Sequence, residues 1–400
     1  MKTIKNLFVI ALAMIAFASC SSDSESTNGV ETEKVGLIGN IFYGGDINED
    51  ITLQSGQTYT VTKGVHIKSG HVLTIEEGVT LVADADVLSY LMIEKGATIQ
   101  AVGTANAPIV MTASKEIPGA WGGLMICGNA TINVDGGSGI SEVGNASYGG
   151  SSDTDNSGTL KYIRLEYTGY AFDEDHESNG VAFYGVGSGT TVDHIQVYKG
   201  SDDGFEFFGG TVSANYLVST YSQDDSFDWT EGWRGNCMNW VAVQNEDSKG
   251  TGFESDNLEG NNDATPRSKP TIANITLVGN GTDKSQSMNL RRGTGAILSN
   301  LLMTNYMIGV GVEQNSTANL IGSDLTIDNS VLTNIITDAS KQYFSYVKTT
   351  EGTQRTAVAS DQFGTGVTVG AIALNSTYVG KVNGAGAVDA GDDWTAGWTK

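Results

Sequence analysis

Short internal repeats constrain the fold of this chain more than any other feature of its sequence. "LTIEEGVTLVA" from Leu73 and "LMIEKGATIQA" from Leu91 match at an offset of 18 residues, and "YTVTKGVHI" from Tyr59 is a looser third copy. Each copy pairs two short alternating strands about a glycine corner. A strand pair this small cannot bury its own inner face, so successive copies must stack to build a core. The repeats therefore predict a solenoid.

A longer unit recurs further along the chain, with an apolar strand, a polar corner and a second strand in every copy. Its copies include "HIQVYKGSDDGFEFFGG", "YLVSTYSQDDSFDWTEG" and "VAVQNEDSKGTGFESD". Because alternate residues of a strand face opposite sides, the second strands give two columns. We expect the first column in the core: Phe205, Phe227, Phe253, Met288 and Val312. We expect the second column to face solvent: Glu206, Asp228, Glu254, Asn289 and Glu313, with Ala182 one coil earlier.

Composition supports an all-β chain. Fifty-two glycines and four prolines, with few charges, favour strands and tight turns over helices, and no convincing amphipathic helix is present. We predict a single-stranded, right-handed parallel β-helix over residues 35–400, with a C-terminal capping segment. Stacked coils of such a solenoid rise about 4.8 Å each.

The N-terminus has the pattern of an export signal. Lys2 and Lys5 precede an apolar run over residues 7–17, which is too short to cross a bilayer. The "FASC" that ends at Cys20 resembles the bacterial lipobox, so we predict a signal peptide over residues 1–19 and a lipid on Cys20. An ordinary signal peptide with a chance cysteine is the alternative. Residues 20–34 are polar and acidic, which is typical of a flexible tether. Such an acidic tether resembles the surface-export signal of Bacteroidota lipoproteins, and we expect a protein anchored to the outer membrane at the cell surface.

The formal net charge of −24 limits the partners. Such a surface repels nucleic acid and anionic membranes and attracts cations, so we expect no nucleic-acid partner. Besides Cys20, the chain has only Cys127 and Cys237, both in apolar contexts. We expect buried thiols there rather than a disulfide framework or a zinc site.

Acidic residues cluster at one corner of the predicted solenoid. Asp202 and Asp203 precede Glu206, and 22 residues later Asp224 and Asp225 precede Asp228, so equivalent acids should lie one strand spacing apart. Carboxylates this close repel unless they are protonated or bridged, and an oxygen-only ligand set favours Ca²⁺. The "DEDHE" insertion over residues 173–177 could add ligands. Alternatively, these aspartates cap backbone N–H groups at the corners.

Several motifs together resemble a known family. "GAWGGLMICGNATIN", "KYIRLEY", "SDDGFEFFGG", "DDSFDWTEGW" and the closing "DDWTAGWTK" are similar to secreted or lipid-anchored parallel β-helix proteins that are common in Bacteroidota and have a pectin-lyase-like fold. This resemblance implies the fold and the compartment, because the family has no settled activity.

Two enzyme hypotheses start from this corner. The spacing of "SDDGF" and "QDDSF" resembles the polygalacturonase-type glycoside hydrolases, in which Asp203, Asp225 or Asp228 would act as acid and base. That family also places a histidine and an Arg-x-Lys on following coils, and this chain lacks both. A pectate-lyase-like elimination would combine Ca²⁺ with Arg291 or Arg292 as the base. Arginines beside acids, here including Arg234, are more often their salt-bridge partners.

A binding module is the hypothesis that the sequence favours, with the uronate-specific lyase or hydrolase as the alternative. Long β-helices present flat faces to extended polymers, so a polysaccharide or a surface protein is the expected partner. The predicted ligand-binding residues are Glu206, Asp228, Glu254 and Arg291. Aromatic residues near the acidic corner could stack on sugars, although alternation places Trp229 inward: Tyr170, Tyr184, Tyr198, Tyr221, Trp229 and Trp233.

Overall fold

The computed structural model of the protein describes residues 33–172, 177–282, 285–334, 345–348, 355–370, 380–389 and 391–400. The body from Val35 to Lys400 is one compact unit. Its strands form a 27-stranded sheet and a separate two-stranded one. Adjacent strands of the large sheet pair in parallel, except at β1–β2 and β27–β28. The predicted parallel β-helix is confirmed.

The strands of the first coils are β1 (Gly36–Ile38), β2 (Ile41–Ile47), β3 (Ile51–Leu53), β4 (Thr58–Ile67), β5 (Val72–Ile75), β6 (Thr80–Ala83), β7 (Tyr90–Ile93), β8 (Thr98–Val102), β9 (Ile109–Ala113) and β10 (Leu124–Cys127). The next are β11 (Gly139–Ile140), β12 (Ser147–Tyr148), β13 (Gly158–Glu166), β14 (Val181–Tyr184), β15 (Thr191–Tyr198), β16 (Phe205–Phe208), β17 (Ser213–Thr220), β18 (Phe227–Thr230), β19 (Asn236–Val243) and β20 (Phe253–Ser255).

The remaining strands are β21 (Thr271–Val278), β22 (Gln286–Leu290), β23 (Ala296–Thr304), β24 (Ile308–Glu313), β25 (Leu325–Asp328), β26 (Val331–Thr333), β27 (Ser345–Lys348), β28 (Arg355–Val358) and β29 (Thr368–Gly370). A four-residue helix, α1 (Asn315–Ala318), and a 3-10 turn, Ser360–Gln362, are the helical elements of the described residues. In that same part of the chain, no helix is long and apolar enough to span a membrane.

Each middle coil contributes one short strand and one long, bent strand. The short strands β14, β16, β18, β20, β22 and β24 stack in parallel and form the first face. The long strands β13, β15, β17, β19, β21 and β23 stack beside one another in the same way. Each long strand contains a residue with left-handed φ that separates it into two segments: Tyr162, His194, Tyr216, Asn239, Asn274 and Asn300. The bends therefore give each coil a second and a third face.

The core contains the predicted inward column. Phe205, Phe227, Phe253 and Met288 occupy equivalent positions on successive coils and are fully buried. The rings of Phe205 and Phe227 stack with centroids 5.5 Å apart, and Trp240 stacks on Phe227 at 4.5 Å. The register of the first face is thus fixed by large apolar side chains, because a one-residue slip would turn them all outward.

The predictions of Val312 for the inward column and of Glu313 for the outward column are wrong. Met288 pairs with Val310, whereas Val312 pairs with Leu290, the next inward-facing residue of the same strand. Gly311, rather than Glu313, therefore continues the outward column beside Asn289. Both valines face inward and are fully buried, so alternation alone could not choose between them. The length of the preceding loop decides the register.

The 18-residue repeat is not the period of the coil. Leu73 pairs with Ile51 before it and with Ile99 after it, whereas Leu91 pairs with Val65 and Leu124. The two repeat copies therefore do not stack on each other. They repeat because a short strand and a glycine corner recur within a coil as well as between coils, with left-handed φ at Gly78 and Gly96.

Only part of the outward column is open to solvent. The outward row, as we name it, runs through Met92, Met125, Ala182, Glu206, Asp228, Glu254, Asn289 and Gly311. Ala182 has the predicted position but is buried, as are Met92 and Met125. These apolar members pack with Ile132, Val143, Ala146 and Tyr148 from the segment that carries β11 and β12. The expectation of a solvent-facing column is therefore wrong for the first coils.

The C-terminal residues lie against the side of the body. Trp398 is fully buried, and its carbonyl oxygen accepts a hydrogen bond from Arg164 at 3.1 Å. Lys400 donates to Glu166 at 3.0 Å, and the backbone N–H of Ala387 donates to Thr276 at 2.8 Å. The segment therefore contacts several coils. The predicted signal peptide, Cys20 and the tether up to residue 32 lie outside the described residues.

Candidate functional site

Residues 132–148, which we name the covering segment, pack over the outward row as far as Ala182. Beyond Ala182 the row becomes acidic. Glu206, Asp228 and Glu254 stand side by side on β16, β18 and β20, in parallel register. The corner loops before β16 and β18 bring four aspartates to the same edge. The three acids of the row, the four aspartates, Asn179 and two further acids line an open cavity of about 250 Å³. Its acidic lining residues are Glu142, Glu177, Asp202, Asp203, Glu206, Asp224, Asp225, Asp228 and Glu254. The fold thus brings the five predicted metal ligands together.

Two corner aspartates cap the backbone of the next coil. Asp203 Oδ1 accepts a hydrogen bond from the backbone N–H of Asp225 at 2.9 Å. Asp225 Oδ1 accepts the equivalent bond from the backbone N–H of Thr251. The capping interpretation is therefore confirmed for both residues. Each bond uses one carboxylate oxygen and leaves the other available for a ligand.

Burial and mutual repulsion raise the pKa of these acids. Burial, then the charges of Glu177 and Asp224, raise the pKa of Asp202 to about 8. Burial is also the main cause that raises the pKa of Asp203, Glu206 and Asp228 well above the ordinary range, and neighbouring carboxylates add to it. Such groups must hold protons or share a cation, because several buried negative charges cannot stand uncompensated at this spacing.

The donor set fits a hard cation. Three overlapping groups each place one oxygen per residue within 4.8 Å of one another: Asp202 with Asp203 and Asp224, Asp203 with Glu206 and Asp228, and Asp225 with Asp228 and Glu254. Asp228 belongs to two of these groups. Its buried Oδ1 has no hydrogen-bond partner among the described residues. An all-carboxylate site with an unsatisfied buried oxygen suits Ca²⁺ and disfavours zinc or copper.

The arginines near the site are already ion-paired. Arg291 makes two bonds to Asp256, at 2.8 and 2.9 Å, and reaches Glu254 at 2.5 Å. Arg292 pairs with the same Asp256 at 2.5 Å and with Glu259 at 3.0 Å. Although burial opposes its charge, hydrogen bonds and attraction from Asp256 raise the pKa of Arg291 further. These arginines are salt-bridge partners of acids.

Comparison with known proteins identifies the family of this chain. A family model described as a pectate-lyase-like beta helix domain matches residues 45–399. The chain belongs to this family. No curated protein and no solved structure matched it.

Membership in the pectate-lyase-like β-helix family accounts for the stacked coils. Half of the aromatic residues predicted to stack on sugars are not available at the acidic edge. Trp229 and Trp233 are fully buried, and Tyr184 is buried beneath the covering segment. The predicted burial of Trp229 is confirmed. Tyr170, Tyr198 and Tyr221 are partly exposed.

Some residues of this β-helix site escaped the sequence reasoning. Glu142 reaches the cavity from the segment between β11 and β12, which no periodicity could place. Asn179 donates to Glu206 Oε2. Asp256 could have been found, because alternation places it two positions beyond Glu254 on the same face. Of the "DEDHE" insertion, Glu177 lines the cavity and residues 173–176 lie outside the described residues.

A second group of possible metal ligands, Arg234 and the two cysteines have partners or are buried. Asp46, His66 and Glu94 could also surround a cation. The ammonium of Lys68 occupies that position, 2.6 Å from Glu94 and 3.5 Å from Asp46. Arg234 pairs with Asp153 at 3.1 Å. Cys127 and Cys237 are free, buried thiols, as predicted.

Proposed function

We propose that this protein is a non-catalytic binding module whose acidic edge binds Ca²⁺ and, through it, an extended ligand. The observation that carries the proposal is the in-register row of Glu206, Asp228 and Glu254, with its unpartnered buried oxygen on Asp228. The ligand is a glycan or the surface of a protein partner.

Charge compensation explains why a cation belongs here. The acids of the cavity raise one another's pKa, so each proton that leaves increases the attraction for a divalent ion. Ca²⁺ accepts about six to eight oxygen ligands, more than three carboxylates supply with one oxygen each. A bound ion would therefore retain positions for hydroxyl or carboxylate oxygens of a ligand. Asp228 would hold the ion either with Asp203 and Glu206 or with Asp225 and Glu254. Arg291 fixes Glu254 in place.

The arrangement argues against a catalyst. A lyase base must be free to take a proton from the substrate, whereas Arg291 and Arg292 are both ion-paired with Asp256. A glycoside hydrolase places its two carboxylates on opposite sides of the bond that it cleaves. Asp203 and Asp225 instead lie on adjacent corner loops, where each caps a backbone N–H group of the next coil. The alternative, a Ca²⁺-dependent lyase or a hydrolase acting on a uronate-containing polysaccharide, would use Asp203, Asp225 or Asp228 with Arg291 or Arg292.

The location proposed for this module is the cell surface, with the lipid on Cys20 holding it to the outer membrane. The pattern of residues 1–20 supports this proposal, and the net charge of −24 argues against nucleic acid as a partner.

Calcium titration tests the proposal directly. The body from residue 35 onward is titrated with CaCl₂ in a calorimeter, and its melting temperature is recorded in Ca²⁺ and in chelator. We expect saturable binding and a higher melting temperature in Ca²⁺, because an ion that binds only the folded chain stabilises it by about 2.7 kcal/mol at one hundred times Kd. Asp228→Asn should weaken binding strongly.

The matched control is Asp247→Asn, which removes an exposed carboxylate from a loop outside the cavity. It should bind Ca²⁺ as the unaltered protein does. Identical melting curves in Ca²⁺ and in chelator would refute the proposal, as would equal losses of affinity in the two variants.

A further inference from the structure

A second cavity lies on a different edge of the body. It has a volume of about 530 Å³ and lies between the bends of the long strands and the C-terminal segment. Tyr162, His194 and Tyr216 line it from the bends, and Trp394 lines it from the C-terminal segment. Pockets for small ligands have volumes of roughly 300–1,000 Å³, so the cavity is large enough for a sugar unit.

The aromatic wall of this cavity is built by backbone geometry. Tyr162, His194 and Tyr216 all have left-handed φ at equivalent positions of successive coils. Their rings stack with centroids 4.3 and 4.2 Å apart. Trp394 meets Tyr216 at 5.1 Å with its ring nearly perpendicular, and its Nε1 donates to Ala387 O at 3.0 Å. The rings are therefore fixed before any ligand arrives.

An amide ladder continues the wall beyond Tyr216. Asn300 donates to Asn274 at 3.0 Å, and Asn274 donates to Asn239 at 3.0 Å. Asn239 is the final acceptor of this ladder and is only 9% exposed. Its own Nδ2 donates to no group in the part of the chain that the structure describes. In that same part, the hydroxyls of Tyr162 and Tyr216 have no hydrogen-bond partner. A buried amide with an unused donor in a roomy cavity indicates a polar ligand.

Charge limits what that ligand can be. Asp389, Asp392 and Asp393 line the cavity, and Lys381 pairs with Asp389 at 2.8 Å. The surplus of carboxylates repels uronates, sulfates and phosphates. Carboxylates accept hydrogen bonds from hydroxyl groups, and amides both donate to them and accept from them. Aromatic rings contact the apolar faces of sugar rings.

We propose that this cavity binds a neutral saccharide unit, independently of the acidic edge and of Ca²⁺. Asn239, Asp392 and the hydroxyl of Tyr216 would bond its hydroxyls, and Trp394 would contact its ring. The proposal goes beyond the calcium-dependent module, since it concerns another edge of the body and needs no metal.

A glycan array tests the proposal, with neutral hexose oligosaccharides beside uronate and sulfated ones, followed by calorimetry with the neutral oligosaccharide that binds best. The body from residue 35 onward is used in chelator. We expect binding to neutral oligosaccharides only, and we expect that binding to be unchanged in Asp228→Asn.

Tyr216→Phe removes one hydroxyl and keeps the stacked ring, so the affinity for the neutral oligosaccharide should fall about tenfold. Trp394→Ala should abolish binding, with the melting temperature recorded to show that the variant folds.

The matched control is Tyr43→Phe, which removes one hydroxyl from a partly exposed tyrosine on β2, outside the cavity. It should bind as the unaltered protein does. Absence of neutral oligosaccharide binding in chelator would overturn this inference and leave the calcium proposal standing. Equal effects of Tyr216→Phe and Tyr43→Phe would also overturn it.

Discussion

The substitution Phe227→Ala tests the central feature of the fold, the inward column of the first face. Phe227 is fully buried at the centre of an aromatic cluster. Its ring stacks on Phe205 and Trp240 and meets the edge of Phe253, with centroids 5.5, 4.5 and 5.6 Å away. Neighbouring coils hold these rings through parallel backbone pairing, so they cannot close the space that a lost ring would leave.

The expected loss in the free energy of unfolding follows from this environment. Truncating a buried phenylalanine to alanine costs about 3–5 kcal/mol, and the cost is highest where the surrounding side chains cannot fill the cavity. Aromatic pairs contribute about 0.5–1.5 kcal/mol beyond their buried area, and Phe227 takes part in three of them. We therefore expect a loss of about 4–5 kcal/mol in the free energy of unfolding.

The control is Asp228→Asn, one position along the same strand. It leaves no cavity and replaces a carboxyl group whose ionised form burial and neighbouring acids disfavour, so in chelator the free energy of unfolding should stay the same or rise. Urea denaturation followed by tryptophan fluorescence measures both variants, since Trp229, Trp233 and Trp240 are buried in this part of the core. Hydrogen exchange at β18 checks that the loss is local, since solenoids can open coil by coil. A loss below about 1 kcal/mol in Phe227→Ala, or similar losses in both variants, would show that the inward and outward assignments are wrong.

Two further predictions concern the acidic edge. In chelator, the free energy of unfolding should fall as pH rises from about 4 to about 8. Burial, then neighbouring carboxylates, raise the pKa of Asp202 to about 8 in the folded protein, whereas an unfolded aspartate has a pKa of about 4. The folded state therefore holds the extra proton between these two pH values. Melting curves at pH 5 and pH 8 test this, and a melting temperature that rises with pH in chelator would contradict it. With neutral and uronate-containing polysaccharides, with or without Ca²⁺, we expect neither new unsaturated ends nor new reducing ends. Sustained turnover that Arg291→Ala, Arg292→Ala, Asp203→Asn or Asp225→Asn abolishes would establish the enzyme alternative.

The sequence predicted the features that repeat from coil to coil. Phe205, Phe227 and Phe253 recur with acids at the next position, so alternation alone assigned both sides of the first face. The same reasoning placed the corner aspartates together, because parallel stacking puts equivalent residues of neighbouring coils side by side.

Features that occur once could not be predicted in this way. The burial of Met125 and Ala182 depends on the segment around β11 and β12, and no pattern in its sequence shows where it packs. The position of Val310 depends on the length of one loop. The second cavity depends on how the C-terminal segment returns to coils more than 150 residues earlier, as Lys400 does when it reaches Glu166. Such contacts are set by tertiary packing.

The parallel register connects the stability of this fold to its proposed function. The pairing that stacks Phe205, Phe227 and Phe253 inside the solenoid also stacks Glu206, Asp228 and Glu254 outside it. The acids cannot move apart without breaking strand pairs that bury large apolar side chains, which contribute about 1.5–3 kcal/mol each. Their repulsion must therefore be relieved by protons, by Arg291 at Glu254, or by a cation at Asp228. Asp228 has no basic side chain bonded to it among the described residues, so under the calcium proposal we expect the ion to relieve the repulsion there.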